Sequence, residues 1–127
     1  MDMKLWIDDV RPAPEGYTWL KSVNEAKLAI LKIEQFQQMA MADAKFKMRY
    51  SLEEYCKAMK LVTRRSIELL DIDHDAGDYS KDGGDYIRLL DWLEETGRSY
   101  PIHIHSMNPV GVANMRAIIQ KNGWLEI

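Results

Sequence analysis

All three histidines of the chain fall in two short stretches, Asp71-Ile-Asp-His-Asp-Ala-Gly77 and Ile102-His-Ile-His-Ser-Met-Asn-Pro109, each where an apolar run gives way to turn residues. Imidazole is the side chain that ordinarily titrates near neutral pH, and here it sits beside carboxylates. That combination suits proton transfer or metal ligation, because both need groups that change charge or donate lone pairs under mild conditions. A third stretch, Leu5-Trp-Ile-Asp8-Asp9, puts two more carboxylates in the same kind of place. Asp8, Asp9 and Asp73 would together form an oxygen-rich site of the type that Mg²⁺ or Mn²⁺ prefers. The plainer reading of Asp8 is a loop or capping residue.

These groups can act together only if the fold gathers them. Leu5 to Ile7 reads as a short strand stopped by Asp8-Asp9, and Pro12 and Pro14 then make the following segment an extended loop. Tyr17 to Leu20 has strand composition. Ser22 and Glu25 form a capping-box signature, after which Val23, Ala26, Ile30 and Ile33 recur at helical spacing. Residues 36–66 read as a helical insertion: an extension of the first helix, then a second helix from about Leu52 to Val62. Ile67 to Asp73 is the next strand, followed by a polar, glycine-containing loop at 77–84. Ile87, Leu90 and Leu93 mark a helix that Gly97 can end. Ile102 to Ser106 is a strand; Asn108 and Pro109 suit the N-cap and first position of a last helix carrying Val112, Met115 and Ile119, with Gly123 to stop it. Trp124 to Ile127 reads as a final strand. Trp6, Trp92 and Trp124 are expected as core aromatics.

Strands alternating with helices predict an α/β fold: a doubly wound parallel sheet of about five strands in a three-layer α/β/α arrangement, forming one domain over residues 1–127. Ligands of such sheets bind beyond the carboxyl ends of the strands, and all three acidic or histidine-bearing stretches lie at such ends. Distant positions in sequence are thereby expected on one rim.

With 46% apolar and 29% charged residues, the composition is that of an ordinary globular protein. A net charge of −3 gives no broad basic field, so neither a nucleic-acid polymer nor an acidic membrane is expected as the partner. Cys56 is the only cysteine, which excludes an internal disulfide. The amino terminus lacks the pattern of a signal peptide, and no apolar run reaches ~18 residues. The expected location is cytoplasmic. The Met-rich 36–66 segment is also a candidate homodimer surface.

A strand ending in Asp-Asp, a middle strand ending in Asp and a next strand ending in Ser resemble the phospho-acceptor receiver domain. This chain departs from that pattern in having a Pro-containing loop in place of the first helix, no Lys beyond the last strand, and flanking histidines. The motifs Leu5-Trp-Ile-Asp-Asp-Val-Arg-Pro-Ala-Pro14, Asp73-His-Asp-Ala-Gly77 and His103-Ile-His-Ser-Met-Asn-Pro-Val-Gly111 resemble the cyclic-phosphate-processing receiver-like family, which has a flavodoxin-like fold. The resemblance implies a small cyclic phosphate of nucleotide or ADP-ribose type as substrate, and it favours a divalent metal, Mg or Mn, at Asp8, Asp9, Asp73 and Asp75. The implied activity is metal-assisted phosphoester hydrolysis; the alternative is a noncatalytic phospho-acceptor or nucleotide-sensing domain.

Opening a cyclic phosphate requires an activated water and a proton for the leaving oxygen. His74 and His105, with Asp73, are the expected catalytic groups, their acid and base roles unassigned. His103 lies one layer deeper on the face of His105 and reads equally as a buried structural or a catalytic residue, and it is a further candidate to bind substrate. Asp75 could orient His74 instead of joining the metal. Arg11, Ser106, Asn108 and the amides of Val110 and Gly111 are the candidates to hold phosphate, the last two at the positive end of a helix dipole.

Overall fold

The structure, a computed structural model, describes residues 3–47 and 66–127, with side chains throughout these except at 36–47. The second helix expected at Leu52–Val62, and the homodimer surface expected within 36–66, lie at residues outside this description wholly or in part.

Among the described residues four strands form one parallel sheet in the order β2-β1-β3-β4: β1 Met3–Ile7, β2 Tyr17–Leu20, β3 Ile67–Ile72 and β4 Ile102–Ile104. Among the described residues three α-helices connect or follow them: α1 Val23–Lys47, α2 Ile87–Glu95 and α3 Pro109–Asn122. The first connection, from β1 to β2, contains no helix, in line with its two prolines. Among the described residues no helix is long and apolar enough to cross a membrane.

Local chemistry accounts for the helix ends. Ser22 Oγ accepts from Glu25 N at 3.0 Å, which opens α1 where the capping pair predicts it. Asn108 Oδ1 accepts from Gly111 N at 3.0 Å, Pro109 takes the first turn of α3, and Gly123 closes it in the left-handed region at φ 66°. The final strand expected at Trp124–Ile127 reduces to a single parallel bridge between Ile102 and Glu126, held by Ile102 N to Leu125 O and Ile127 N to Ile102 O. β4 likewise ends at Ile104, two residues earlier than the apolar run suggests.

Strand parity sorts the sheet into two chemically different faces. Leu5 and Ile7 of β1, Leu70 and Ile72 of β3 and Ile102 of β4 are buried in one core with Val23, Ala26 and Ile30 of α1, Leu89, Leu90 and Leu93 of α2, and Met115 and Ile119 of α3. All three described helices therefore cover the same face. The sequence reading expects helices on both faces; a second helical layer is not among the described residues. On the other face, Trp6, Asp71 and His103 stand side by side in register. Because side chains repeat every second residue, Asp8, Asp73 and His105 continue that row just past the strand ends. Asp73 N donates to Ile7 O at 2.9 Å and His105 N to Ile72 O at 3.0 Å, so the pairing that aligns the strands also aligns these three residues.

Candidate active site

The three sequence-remote motifs meet at the carboxyl edge of the sheet. The ligand-capable atoms of Asp8, Asp73 and His105 all lie within 4.8 Å of one another. Asp8 is fully buried, and both of its oxygens are engaged. Oδ1 accepts from the amides of Val10 at 3.0 Å and Arg11 at 2.9 Å, which folds the loop that replaces a first helix. Oδ2 meets His105 Nε2 at 2.8 Å. Asp8 thus caps its loop through one oxygen and reaches His105 through the other.

His105 is gripped from two sides. Its Nδ1 meets Asp71 Oδ1 at 2.7 Å while its Nε2 meets Asp8, and its side chain is only 8% exposed. An ionised carboxylate only accepts, so a carboxylate at each ring nitrogen favours the imidazolium form of His105. Burial opposes that charge, yet the two carboxylates outweigh it and raise the His105 pKa. Reciprocally, burial would raise Asp8 and Asp71, but the amides of Arg11 and Val10 with His105 in one case, and His105 with His103 in the other, hold both carboxyls below their ordinary range. The ring of His105 also lies flat on Trp6. Trp6 is therefore half-buried on the site face and is not part of the core under the helices; Trp92 and Trp124 do pack against that core.

Asp71 did not figure among the sequence candidates. Its Oδ1 accepts from His103 Nδ1 at 2.9 Å as well as from His105, at a side chain 7% exposed. Parity held the signal: Asp71 precedes Asp73 by two, as His103 precedes His105. His103 itself is half-exposed and is held by this one bond at Nδ1.

His74 is arranged differently. Asp75 Oδ1 lies 2.8 Å from its Nδ1, and no hydrogen bond to its Nε2 is present among the described residues. Its ring rests on the first turn of α3, where a Cβ on the buried Gly111 would run into it. Asn108 Nδ2 lies 3.5 Å from His74 Nδ1, at the outer limit of a contact. Asp75, more than half exposed, thus orients His74 and stands outside the cluster of Asp8, Asp73 and His105.

Asp9 and Asp73 supply the remaining acidity. Asp73 Oδ1 accepts from His74 N at 2.8 Å. Burial, together with the carboxylates of Asp8 and Asp73, pushes the Asp9 carboxyl above its ordinary range. Gly77, at φ 53°, carries no side chain where Asp9 Oδ2 approaches, so the loop can close over that carboxylate. Of the phosphate candidates, Arg11 reaches across the rim and its Nη1 donates to His105 O at 3.2 Å. Ser106 Oγ accepts from Asn108 N at 3.1 Å and retains its own hydrogen for a ligand. The Gly111 amide is already engaged with the Asn108 cap, which leaves Val110 as the better amide for an anion.

A four-stranded parallel sheet in this order, with acidic groups at the carboxyl edge, defines a receiver-like α/β domain. The model of the cyclic-phosphate processing Receiver domain matches residues 42–121, more than half of the chain, and the protein belongs to that family. The match contains the motifs of His74 and His105; the Asp8-Asp9 motif precedes it. No curated protein and no solved structure matches the chain.

Proposed function

We propose that this domain is a metal-assisted phosphoesterase that opens a small cyclic phosphate of nucleotide or ADP-ribose type. The observation that carries the reading is the meeting of Asp8, Asp73 and His105 within 4.8 Å, on the rim that also bears His74. The family match adds cyclic-phosphate processing.

The donor set fits a hard divalent ion. Asp9 and Asp73 have no cationic side chain paired with them among the described residues, and the crowding that raises Asp9 is what a cation relieves. Oxygens of Asp8, Asp9 and Asp73 would hold the ion, with His105 steadying Asp8 from behind. Bound there, Mg²⁺ or Mn²⁺ offsets the negative charge of the phosphate and polarises its P–O bonds.

The chain's own groups divide the rest of the work. His74 presents Nε2 because Asp75 holds Nδ1, the arrangement of an oriented acid or base. Water attacks phosphorus, the ring P–O bond breaks, and the departing oxygen keeps the electron pair and takes the proton of His74 Nε2. The proton lost by the water passes to a carboxylate of the acidic cluster. Ser106 Oγ, the Val110 amide at the start of α3 and the Arg11 guanidinium are the groups for the non-bridging oxygens. His105, with both nitrogens engaged, supplies positive charge and order, not proton transfer.

The test is ³¹P NMR of cyclic nucleotides and ADP-ribose cyclic phosphate after incubation with the protein in Mn²⁺, the ion being chelated before the spectrum, and in chelator throughout. Conversion to a monoester that needs Mn²⁺, falls with Asp73→Asn and falls with His74→Ala is expected. Conversion that survives both substitutions, or no conversion of any cyclic phosphate, refutes the reading.

A further inference from the structure

We propose that Asp71 is a positioning residue of this site: its Oδ1 fixes the plane and reach of the His105 imidazole, so that Nε2 stays on Asp8. The kinetic part of this inference rests on the phosphoesterase reading; the geometric part does not.

The geometry narrows what else could hold the ring. His105 lies one residue beyond the end of β4; its amide still donates to Ile72 O at 3.0 Å, which holds its backbone but does not set the torsions of its side chain. The stack on Trp6 fixes the ring plane but not which ring edge faces which carboxylate, because a half-turn about Cβ–Cγ keeps that plane. Among the described residues that choice is set by hydrogen bonds at the ring edge, to Asp8 on one side and Asp71 on the other. Asp8 is itself tied to the loop through Val10 and Arg11, whereas Asp71 is set by β3, paired on both sides with β1 and β4. The anchor thus comes from the most rigid part of the sheet, the usual place for a group that must hold another. His103 shares the same oxygen, but its side chain is half-exposed and it makes no hydrogen bond with Asp8 or Asp73 among the described residues. The structure therefore makes His103 a companion of Asp71, and not a second anchor of His105.

The test uses the full chain, metal-free and with diamagnetic Mg²⁺, and reads the ring directly. Long-range ¹H–¹⁵N spectra follow the imidazole nitrogens of His105 in wild type, Asp71→Ala, Asp71→Asn and His103→Gln. Slowly exchanging N–H signals at both nitrogens are expected in wild type and in His103→Gln. Asp71→Ala is expected to lose both, and Asp71→Asn, which keeps an acceptor oxygen, to restore them. On a cyclic phosphate, Asp71→Ala is expected to lower kcat by about 10–100-fold with KM nearly unchanged, the size of effect typical for a group that orients a site residue. If Asp71→Ala does not fold, Asp71→Leu fills the volume without an acceptor and is read in its place.

A folded Asp71→Ala or Asp71→Leu protein with the wild-type His105 spectrum overturns the proposal, as does loss of the His105 signals in His103→Gln. Lowered stability with unchanged spectrum and kcat would make Asp71 a structural ion pair only, and also overturns it. If wild type turns over no cyclic phosphate, the phosphoesterase reading fails while the spectra still decide the positioning role.

Discussion

The imidazole of His105 lies on the indole of Trp6 with ring centroids 3.9 Å apart and planes 3° from parallel. A charged ring over an indole face gains from dispersion and from the negative quadrupole of the aromatic system. Two further bonds lock the pair: Trp6 Nε1 donates to Arg11 O at 2.9 Å, and Arg11 Nη1 donates to His105 O. Trp6 thus joins the loop after β1 to the end of β4.

Substitution at Trp6 separates these contributions. Trp6→Phe keeps an aromatic face and loses the N–H bond, which is expected to cost about 1 kcal/mol. Trp6→Leu also loses the stack, a further cost of about 1 kcal/mol. Urea denaturation of the three proteins checks the order, and equal stability of Phe and Leu variants would remove any role for stacking.

Gly111 offers a way to move His74 without touching its chemistry. Alanine is a better helix former by about 1 kcal/mol, but here its methyl would occupy the place of the His74 ring. Gly111→Ala is expected to stay within about 1 kcal/mol of wild type in stability, to bind Mn²⁺ normally and to lose at least about 10-fold in kcat. Full activity in that variant would show that the ring position seen here does not matter for turnover.

The acidic cluster should trade stability for metal affinity. Asp9 lies near two other carboxylates in a partly buried setting, so Asp9→Asn relieves repulsion at little steric change. Thermal unfolding in chelator is expected to show Asp9→Asn more stable than wild type. In Mn²⁺ the order reverses, because a ligand at 100 times its Kd adds about 2.7 kcal/mol only to the protein that binds it. Asp9→Asn gaining as much from Mn²⁺ as wild type would exclude Asp9 from the ion's surroundings.

Much of this arrangement was legible in the sequence because local signals and periodicity agree. The Ser22–Glu25 and Asn108–Pro109 signatures open helices as expected, and the motifs of Asp8, Asp73 and His105 reach one edge because each ends a parallel strand. Asp71 was missed because a carboxylate inside an apolar run reads as an interruption until its neighbours across the sheet are known; only register places it beside His103. The same ignorance of register hid the stack on Trp6, since an aromatic in a strand is equally at home on either face. Trp124–Ile127 reads as a strand by composition, yet its neighbour β4 is only three residues long and offers a partner at Ile102 alone. The engagement of Gly111 N by Asn108 was implicit in the cap, and it competes directly with the phosphate role.

At the opposite, amino-terminal side of β4, Glu34 of α1 accepts from Arg98 at Nε and Nη2 and from the hydroxyl of Tyr100. The carboxylate and guanidinium are 21% and 23% exposed, so the pair ties α1 to the segment between α2 and β4 from a largely shielded position. Burial alone would raise the Glu34 pKa, but the Arg98 and Tyr100 hydrogen bonds overcome it and hold the carboxyl below its ordinary range. Burial, followed by the hydrogen bond to Glu34 and then its charge, raises Tyr100, so its hydroxyl keeps its proton and goes on donating at neutral and mildly alkaline pH. The sign for stability follows from the lowered carboxyl. The contribution is complete above the unfolded-state pKa of about 4.3 and is lost as pH falls through the lower folded value. Glu34→Gln is therefore expected to lose about 2 kcal/mol at pH 7 and progressively less as the solution is acidified. Denaturation midpoints of wild type and Glu34→Gln between pH 7 and pH 3 should converge at the acid end. A constant gap across that range would mean that the Glu34 charge contributes nothing and that shape alone separates the two proteins.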